Sequence, residues 1–351
     1  MLQSNILADL SPGHCIKDVA VNWHGTKMAV CANNSVIIWS MNSQQRWIKE
    51  DVGIELDKLK TVQRISWAHP EFGQVLAVST LNEISIWEYR SSNGGGQWFN
   101  RTTPPISEPR HLVIKDVQFS PSYSGMGRSR ALDLAYCTDS GQLKILRCKD
   151  ARLLKDWETV KEFSQCKDAF TCLAWNVTST CSMIAVGTSE SSAKGTRGEV
   201  KLFQFEESKN EWVSGDIVAK TYNSQVHDVA FAPNPVRSFH TLAIAAAELQ
   251  IIDFKVTDHL KVKLVNQDQN KIDHDQNRVE VWKLSWSSLG TTLCATGDDG
   301  LIRLWKNNNK WECTKTIKWN GMAVQLFIFK IIYYEKDSII LLICRLFCLK
   351  N

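Results

Sequence analysis

An all-β fold, a six-bladed β-propeller of WD40 type, is predicted by three observations. One three-part strand pattern recurs six times, the copies follow one another at a near-constant interval, and helical periodicity is nearly absent. A period of tens of residues marks a repeat architecture, because each repeat must bury its apolar face against the next.

The first part of the pattern is a short strand that ends in an aromatic residue and a turn. It reads DVAVNW at 18–23, QRISW at 63–67, KDVQF at 115–119, TCLAW at 171–175, HDVAF at 227–231 and WKLSW at 282–286. The anchors Trp23, Trp67, Phe119, Trp175, Phe231 and Trp286 stand 44, 52, 56, 56 and 55 residues apart. All but the first exceed the roughly 40–45 residues of a WD40 unit, so the excess is assigned to loops. The second part is small and aliphatic: KMAVC, QVLAVS, LDLAYC, SMIAVG, TLAIAA and TLCATG. The third is an alternating strand that ends at Trp39, Trp87, Leu146, Phe203, Ile252 and Trp305.

Period-two alternation puts one apolar face inward, and a blade held between two neighbours needs apolar residues on both faces of its middle strands. Small residues suit the narrow space near the channel, and large aromatics the wider rim. The repeats fall near 17–41, 62–89, 114–148, 170–205, 226–254 and 281–307, within a propeller domain at 1–320. Gly297-Asp298-Asp299-Gly300 is read as a polar hairpin turn between middle strands. The stretches 91–111, 189–199 and 255–279 are read as loops, the first with a mobile or extended start because of its glycines and prolines. No repeat ends in Trp-Asp, and the only Gly-His pair, Gly13-His14, precedes the first repeat. Fewer His–Ser–Asp–Trp networks and more apolar packing between blades are therefore expected.

Composition narrows the function class. The 41 basic and 37 acidic residues leave a formal charge of +4 with no long block of one sign. A clustered basic face for nucleic acid is thus not indicated. The eleven cysteines include no CxxC pair, and Cys31, Cys137, Cys172 and Cys294 lie in or beside apolar strands. Free, buried thiols in a reducing compartment are expected, and no metal site. The opening MLQSNILADLSPGHC lacks the basic and long apolar regions of a signal peptide. No P-loop, GxSxG, HExxH or dinucleotide fingerprint occurs, so no catalytic residue and no cofactor are assigned. His24, His69 and His227 recur near repeat turns, where a capping hydrogen bond is the expected role. Asp18, Asp116 and Asp228 precede matching strands and are expected to pair with backbone nearby.

Three phrases carry a family resemblance: WAHPEFGQVLA at 67–77, VHDVAFAPN at 226–234 with RSFHTLAIA at 237–245, and GDDGLIRLWK at 297–306. From about residue 15 to about 320 the chain resembles the WD-repeat nucleoporins of the Y-shaped nuclear pore subcomplex. WAHP is shared with the sister propeller of the coat protein complex II cage, whereas RSFHTLAIA matches the nucleoporin only. The resemblance implies an open propeller that accepts a seventh blade in trans from a helical-solenoid nucleoporin, by β-augmentation. It also implies other Y-complex subunits as partners, the nuclear envelope as location, and a role in transport through the pore. A second role, in the amino-acid-sensing GATOR assembly at the lysosomal membrane surface and TOR signalling, is implied in the same way. The residues assigned to partner binding are Val19, Val21, Val36 and Ile38 in the first blade and Leu284, Ile302 and Leu304 in the sixth. Alternation leaves open whether each serves a partner or this chain's own core. A coat-cage propeller and a peptide-reading WD40 module are the alternatives; the second would need an acidic or aromatic pocket at the channel mouth.

After Gly321 the character changes to MAVQLFIFKIIYYEKDSIILLICRLFCLKN. The family usually ends here in a polar tail. Charges at Lys330, 335–337 and Arg345 leave no uncharged run long enough to span a bilayer. Three readings of 321–351 stay open: a gene-model artefact such as retained intron sequence, a membrane- or partner-touching hairpin, and an extra strand pair on the propeller.

Overall fold

The computed structural model describes residues 16–318, apart from 45, 93–94, 105–111, 122–130, 165–166, 177–181, 193–194, 223, 234–237, 258–260, 266–278 and 308–309, together with the backbone of 327–334 and 338–345. The fold is all-β, with six blades of propeller type. Blade 1 holds β1 (Ile16–Val21), β2 (Lys27–Ala32) and β3 (Ser35–Met41), and its outer edge is shared by the short β4 (Trp47–Lys49) and β5 (Ile54–Glu55). Blade 2 is β6 (Arg64–Trp67), β7 (Val75–Ser79), β8 (Ile84–Ser92) and β9 (Gly95–Thr102). Blade 3 is β10 (Ile114–Phe119), β11 (Leu132–Thr138), β12 (Leu143–Cys148) and β13 (Trp157–Phe163). Blade 4 is β14 (Ala169–Trp175), β15 (Met183–Ser192), β16 (Gly195–Glu206) and β17 (Glu211–Tyr222). Blade 5 is β18 (Asp228–Phe231), β19 (His240–Ala245), β20 (Leu249–Val256) and β21 (Val262–Leu264). Blade 6 is β22 (Val281–Trp286), β23 (Thr292–Gly297), β24 (Leu301–Asn307) and β25 (Trp311–Lys318). A separate two-stranded sheet follows, β26 (Phe327–Tyr334) with β27 (Ser338–Arg345). Contacts gather blades 1–3 into one compact unit and blades 4–6 into another.

Burial is deepest in the second strand of each blade and least in the outermost. Second strands such as KMAVCA, VLAVS and HTLAIA are buried at nearly every position, as strands covered on both faces must be. Outer strands such as WETVKEF and WECTKTIK are exposed or half-buried beyond their leading tryptophan. That tryptophan has a fixed partner, the aromatic residue that closes the innermost strand. Ring centroids lie 5.8 Å apart for Trp67–Trp98, 6.5 Å for Phe119–Trp157, 5.5 Å for Trp175–Trp212 and 5.4 Å for Trp286–Trp311. Such tilted and edge-on pairs add about 0.5–1.5 kcal/mol beyond the area they bury.

One anchor is displaced from its expected position. Val21 pairs with Met28, and Met28 with Trp39, as Trp67 pairs with Leu76 and Leu76 with Trp87. Val21 therefore closes the first strand, two residues before Trp23. Trp23 sits in the following turn, 56% exposed and edge-on to His69 at 4.8 Å.

Blades within a unit are stitched at matching positions. The Asp18 carboxylate accepts the Ile65 amide at 3.0 Å, and the Trp67 indole donates to the Ala20 carbonyl at 3.1 Å. In the other unit, Asp228 accepts the Leu284 amide at 3.0 Å and Trp286 donates to Ala230 at 3.0 Å. The expected pairing of Asp18 and Asp228 with nearby backbone is thus present, across the blade boundary. Innermost strands line up as well: β1 lies alongside β6 and β6 alongside β10, while β14 lies alongside β18 and β18 alongside β22. The series continues beyond blade 6, where β26 lies alongside β22.

All three stretches read as loops contain strand: 255–279 holds the end of β20 and the whole of β21, with Val256 opposite Val262. The glycine-rich start of 91–111 enters the β8–β9 hairpin, with Ser91 opposite Gly96. The insertion at 189–199 extends the β15–β16 hairpin, with Glu190 opposite Arg197 and Ser192 opposite Gly195. Backbone ladders tolerate polar side chains where neither face is covered, so hydrophobic alternation is not needed there. Gly13-His14 and residues 105–111 and 266–278 lie outside the described residues. Cys31, Cys137, Cys148, Cys172 and Cys294 are buried thiols, as expected, and Cys313 is an exposed one.

Candidate partner-docking faces of the first and sixth blades

Cross-strand register decides which face each side chain serves, because paired residues share a face. In blade 1, Ala29, Cys31, Val36 and Ile38 belong to one cluster with Ile65, Leu76, Val78 and Trp98 of blade 2. The opposite face carries two rows: Val19 opposite Val30 opposite Ile37, and Val21 opposite Met28 opposite Trp39. In blade 6, Leu284, Leu293, Ala295 and Trp305 cluster with Ala243, Ala245, Leu249 and Ile251 of blade 5. The face turned away from blade 5 carries the row Ser285, Cys294, Leu304 and the pair Thr296 and Ile302, while Lys283 beside them reaches Asp228 of blade 5 at 3.6 Å.

The seven residues assigned from sequence therefore divide. Val19, Val21, Ile302 and Leu304 lie on the faces turned away from the neighbouring blades described above. Val36, Ile38 and Leu284 lie on the faces packed against blade 2 or blade 5. Sequence reasoning passed over Met28, Val30, Trp39 and Cys294, all of which are buried on the away faces. Alternation in β2 and β23 held that signal, but its parity is meaningless until one residue's neighbour is known.

Among the described residues, four polar groups on these two faces are buried without a hydrogen-bond partner: the Trp39 and Trp47 indole N–H groups and the Thr292 and Thr296 hydroxyls. Each such group costs about 1–3 kcal/mol relative to a satisfied one. Burial pushes the Cys294 thiol well above its ordinary range, so it behaves as a small apolar side chain and not as a nucleophile.

Elsewhere the polar clusters act as staples. His69 caps the 3-10 turn Pro70–Phe72, its ring accepting the Glu71 amide, which is the role expected of it. The His227 ring lies 2.7 Å from a Glu280 carboxylate oxygen and stacks on Trp282 at 3.9 Å. The Ser224 hydroxyl donates to the same oxygen at 2.7 Å. Burial pushes the Glu280 carboxyl up, but the hydrogen bonds from His227 and Ser224 outweigh it and hold the group below its usual range. This Ser–His–Glu set is not a nucleophile–base relay. The carboxylate takes the serine's hydrogen bond, and serine and histidine stand 3.5 Å apart.

A cavity of about 160 Å³ lies among Glu55, Asp57, Lys60, Glu83, Ser85 and Trp87 in the first unit. Two pairs of its polar groups are engaged: Lys60 meets Glu83 at 2.6 Å, and the Trp87 indole donates to Ser85 at 2.8 Å. Ligand pockets are usually about 300–1,000 Å³, so the site is small for a peptide side chain with its backbone. Among the described residues no cluster of His, Cys, Asp or Glu could hold a metal ion, and no helix is long and apolar enough to cross a membrane.

Comparison with known proteins agrees with the repeat architecture. The WD domain, G-beta repeat family matches residues 268–306. Nucleoporin SEH1 of Bos taurus is 34% identical over 332 residues, covering 88% of this chain and 87% of the relative. The Homo sapiens nucleoporin SEH1 shows the same identity and coverage, and nucleoporin SEH1-B of Xenopus laevis is 33% identical over 329 residues.

Proposed function

The chain belongs to the nucleoporin SEH1 family, and from that premise we propose that it is a scaffold subunit of the nuclear pore that accepts a strand-rich seventh blade in trans from a helical-solenoid nucleoporin. The role is structural and not enzymatic. The observation that carries the trans-blade reading is the composition of the two away faces. Blade 1 turns Val19, Val21, Met28 and Val30 away from blade 2, and blade 6 turns Cys294, Ile302 and Leu304 away from blade 5, apolar residues of the kind one blade presents to another; all seven are at most 7% exposed in the chain alone, so a partner's blade enters by displacing what covers them. The unpartnered Trp39, Thr292 and Thr296 groups support it too, since an inserted segment could meet them with its own polar atoms.

In this reading the protein resides at the nuclear envelope, with the other Y-complex subunits as neighbours, and supports transport through the pore. A second role in the GATOR assembly, at the lysosomal surface and in TOR signalling, rests on the family resemblance of the quoted phrases. Similarity to the SEH1 nucleoporins favours this assignment over a coat-cage propeller.

Hydrogen exchange of the full chain, alone and with a helical-solenoid nucleoporin from the same source, tests the proposal. New protection confined to 16–41 and 281–307 is the expected result. A chain already fully protected there and unchanged by the partner sinks the trans-blade mechanism.

A further inference from the structure

We propose that the β26–β27 hairpin acts in cis as a partial seventh blade on blade 6, and that a partner's blade reaches this face only by displacing it. The inference rests on the trans-blade reading and adds a competitor to it. Innermost strands of successive blades lie side by side, β14 with β18 and β18 with β22, and β26 stands to β22 in that same relation. Blade 5 already fills one face of blade 6 through the cluster around Leu284, Leu293 and Trp305. The face left for β26 is the one that carries Cys294, Ile302 and Leu304, each at most 2% exposed.

The sequence of the hairpin suits this place. FIFKIIYY and SIILLICR are rich in β-branched and aromatic residues, and the polar Glu335-Lys336-Asp337 separates them. Where every blade described has at least four strands, this sheet has two. A two-stranded sheet buries less surface than a full blade and leaves an outer edge unpaired. A segment from a partner that completes the sheet thus has more to gain from the site than the hairpin does. The hairpin covers apolar surface that would otherwise invite aggregation, and it lowers the apparent affinity for the partner by the fraction of time it is docked.

The test uses the full chain and the variant Ile331→Pro/Leu341→Pro, which puts a proline, without an N–H and unsuited to a strand interior, into each hairpin strand. Exchange at 281–286 is expected to rise about tenfold in the variant, and a helical-solenoid nucleoporin with a strand-rich segment to bind it about tenfold more tightly. Saturating wild-type chain with that nucleoporin should release protection at 327–345 while 281–286 stays protected. Exchange at 281–286 unaltered by the prolines overturns the docking. Equal affinity for both forms, with the hairpin still protected in the complex, overturns the displacement. Failure of the nucleoporin to bind either form defeats the trans-blade reading and the displacement with it, whereas the exchange at 281–286 still decides whether the hairpin docks in cis.

Discussion

At the residue scale, the joints between blades rest on few atoms. Asp228 and Trp286 reach across the blade 5–6 boundary to a backbone amide and a backbone carbonyl, as Asp18 and Trp67 do between blades 1 and 2. Asp228→Ala leaves the buried Leu284 amide without its acceptor and should cost about 1–3 kcal/mol. Trp286→Phe keeps the aromatic contact with Trp311 but loses the indole donor, and should cost about 0.5–1.5 kcal/mol. Urea midpoints that fall with unchanged slope would report both. Glu280 adds a pH dependence. Its carboxyl is held below the ordinary carboxylate range in the folded chain. The stability it contributes is therefore present above its unfolded value and lost as the pH falls through its lowered native value. Glu280→Gln should flatten the acid side of a stability–pH profile, and a profile unchanged by the substitution would show that the pair is immaterial.

At the element scale, the legible strands were those whose burial imposes a pattern. The first three strands of each blade show in the sequence because their neighbours cover them. Outer strands such as β13 and β25 are largely exposed, and solvent imposes no alternation on them. A usable signal was present all the same: Trp98, Trp157, Trp212 and Trp311 each lie in an outer strand and each meets the anchor of its own blade. The candidate faces were half legible. Period two groups Val19 with Val21 and Val36 with Ile38, but only the contact with blade 2 shows which group turns away from it. That division gives a test. Val19→Ala and Ile302→Ala should weaken binding of the solenoid nucleoporin about tenfold or more. Val36→Ala and Ile38→Ala should lower stability, by roughly 1–4 kcal/mol, without weakening the partner's hold on the folded chain. Equal losses of affinity across all four would mean that the faces act through stability alone.

At the scale of the whole molecule, a repeat chain is held by the sum of its blade-to-blade interfaces, and a terminal blade lacks one of them unless something else supplies it. The nucleoporin SEH1 relatives match across 88% of the chain, so the scaffold character belongs to the blades together and not to one motif. A partner that binds only the folded form should raise the unfolding temperature as its concentration rises. At a hundredfold excess over Kd the gain is about 2.7 kcal/mol. Calorimetry at several partner concentrations would show this shift, and a melting temperature indifferent to the partner would contradict binding to the folded blades. The hairpin should lessen the shift in the wild-type chain, because part of the same surface is already covered.

The number of blades, the class of fold, the buried thiols and the family could be read from residues alone. Repetition, alternation and thiol placement are local or periodic properties, and each copy of the pattern confirms the others. Tertiary structure decided the rest: that Val21 and not Trp23 closes the first strand, that Val36, Ile38 and Leu284 face their own neighbours, and that β26 lies beside β22. These are facts of register and of non-local contact. A shift of two residues keeps the same face and the same periodicity, and a face has no direction until another element covers it.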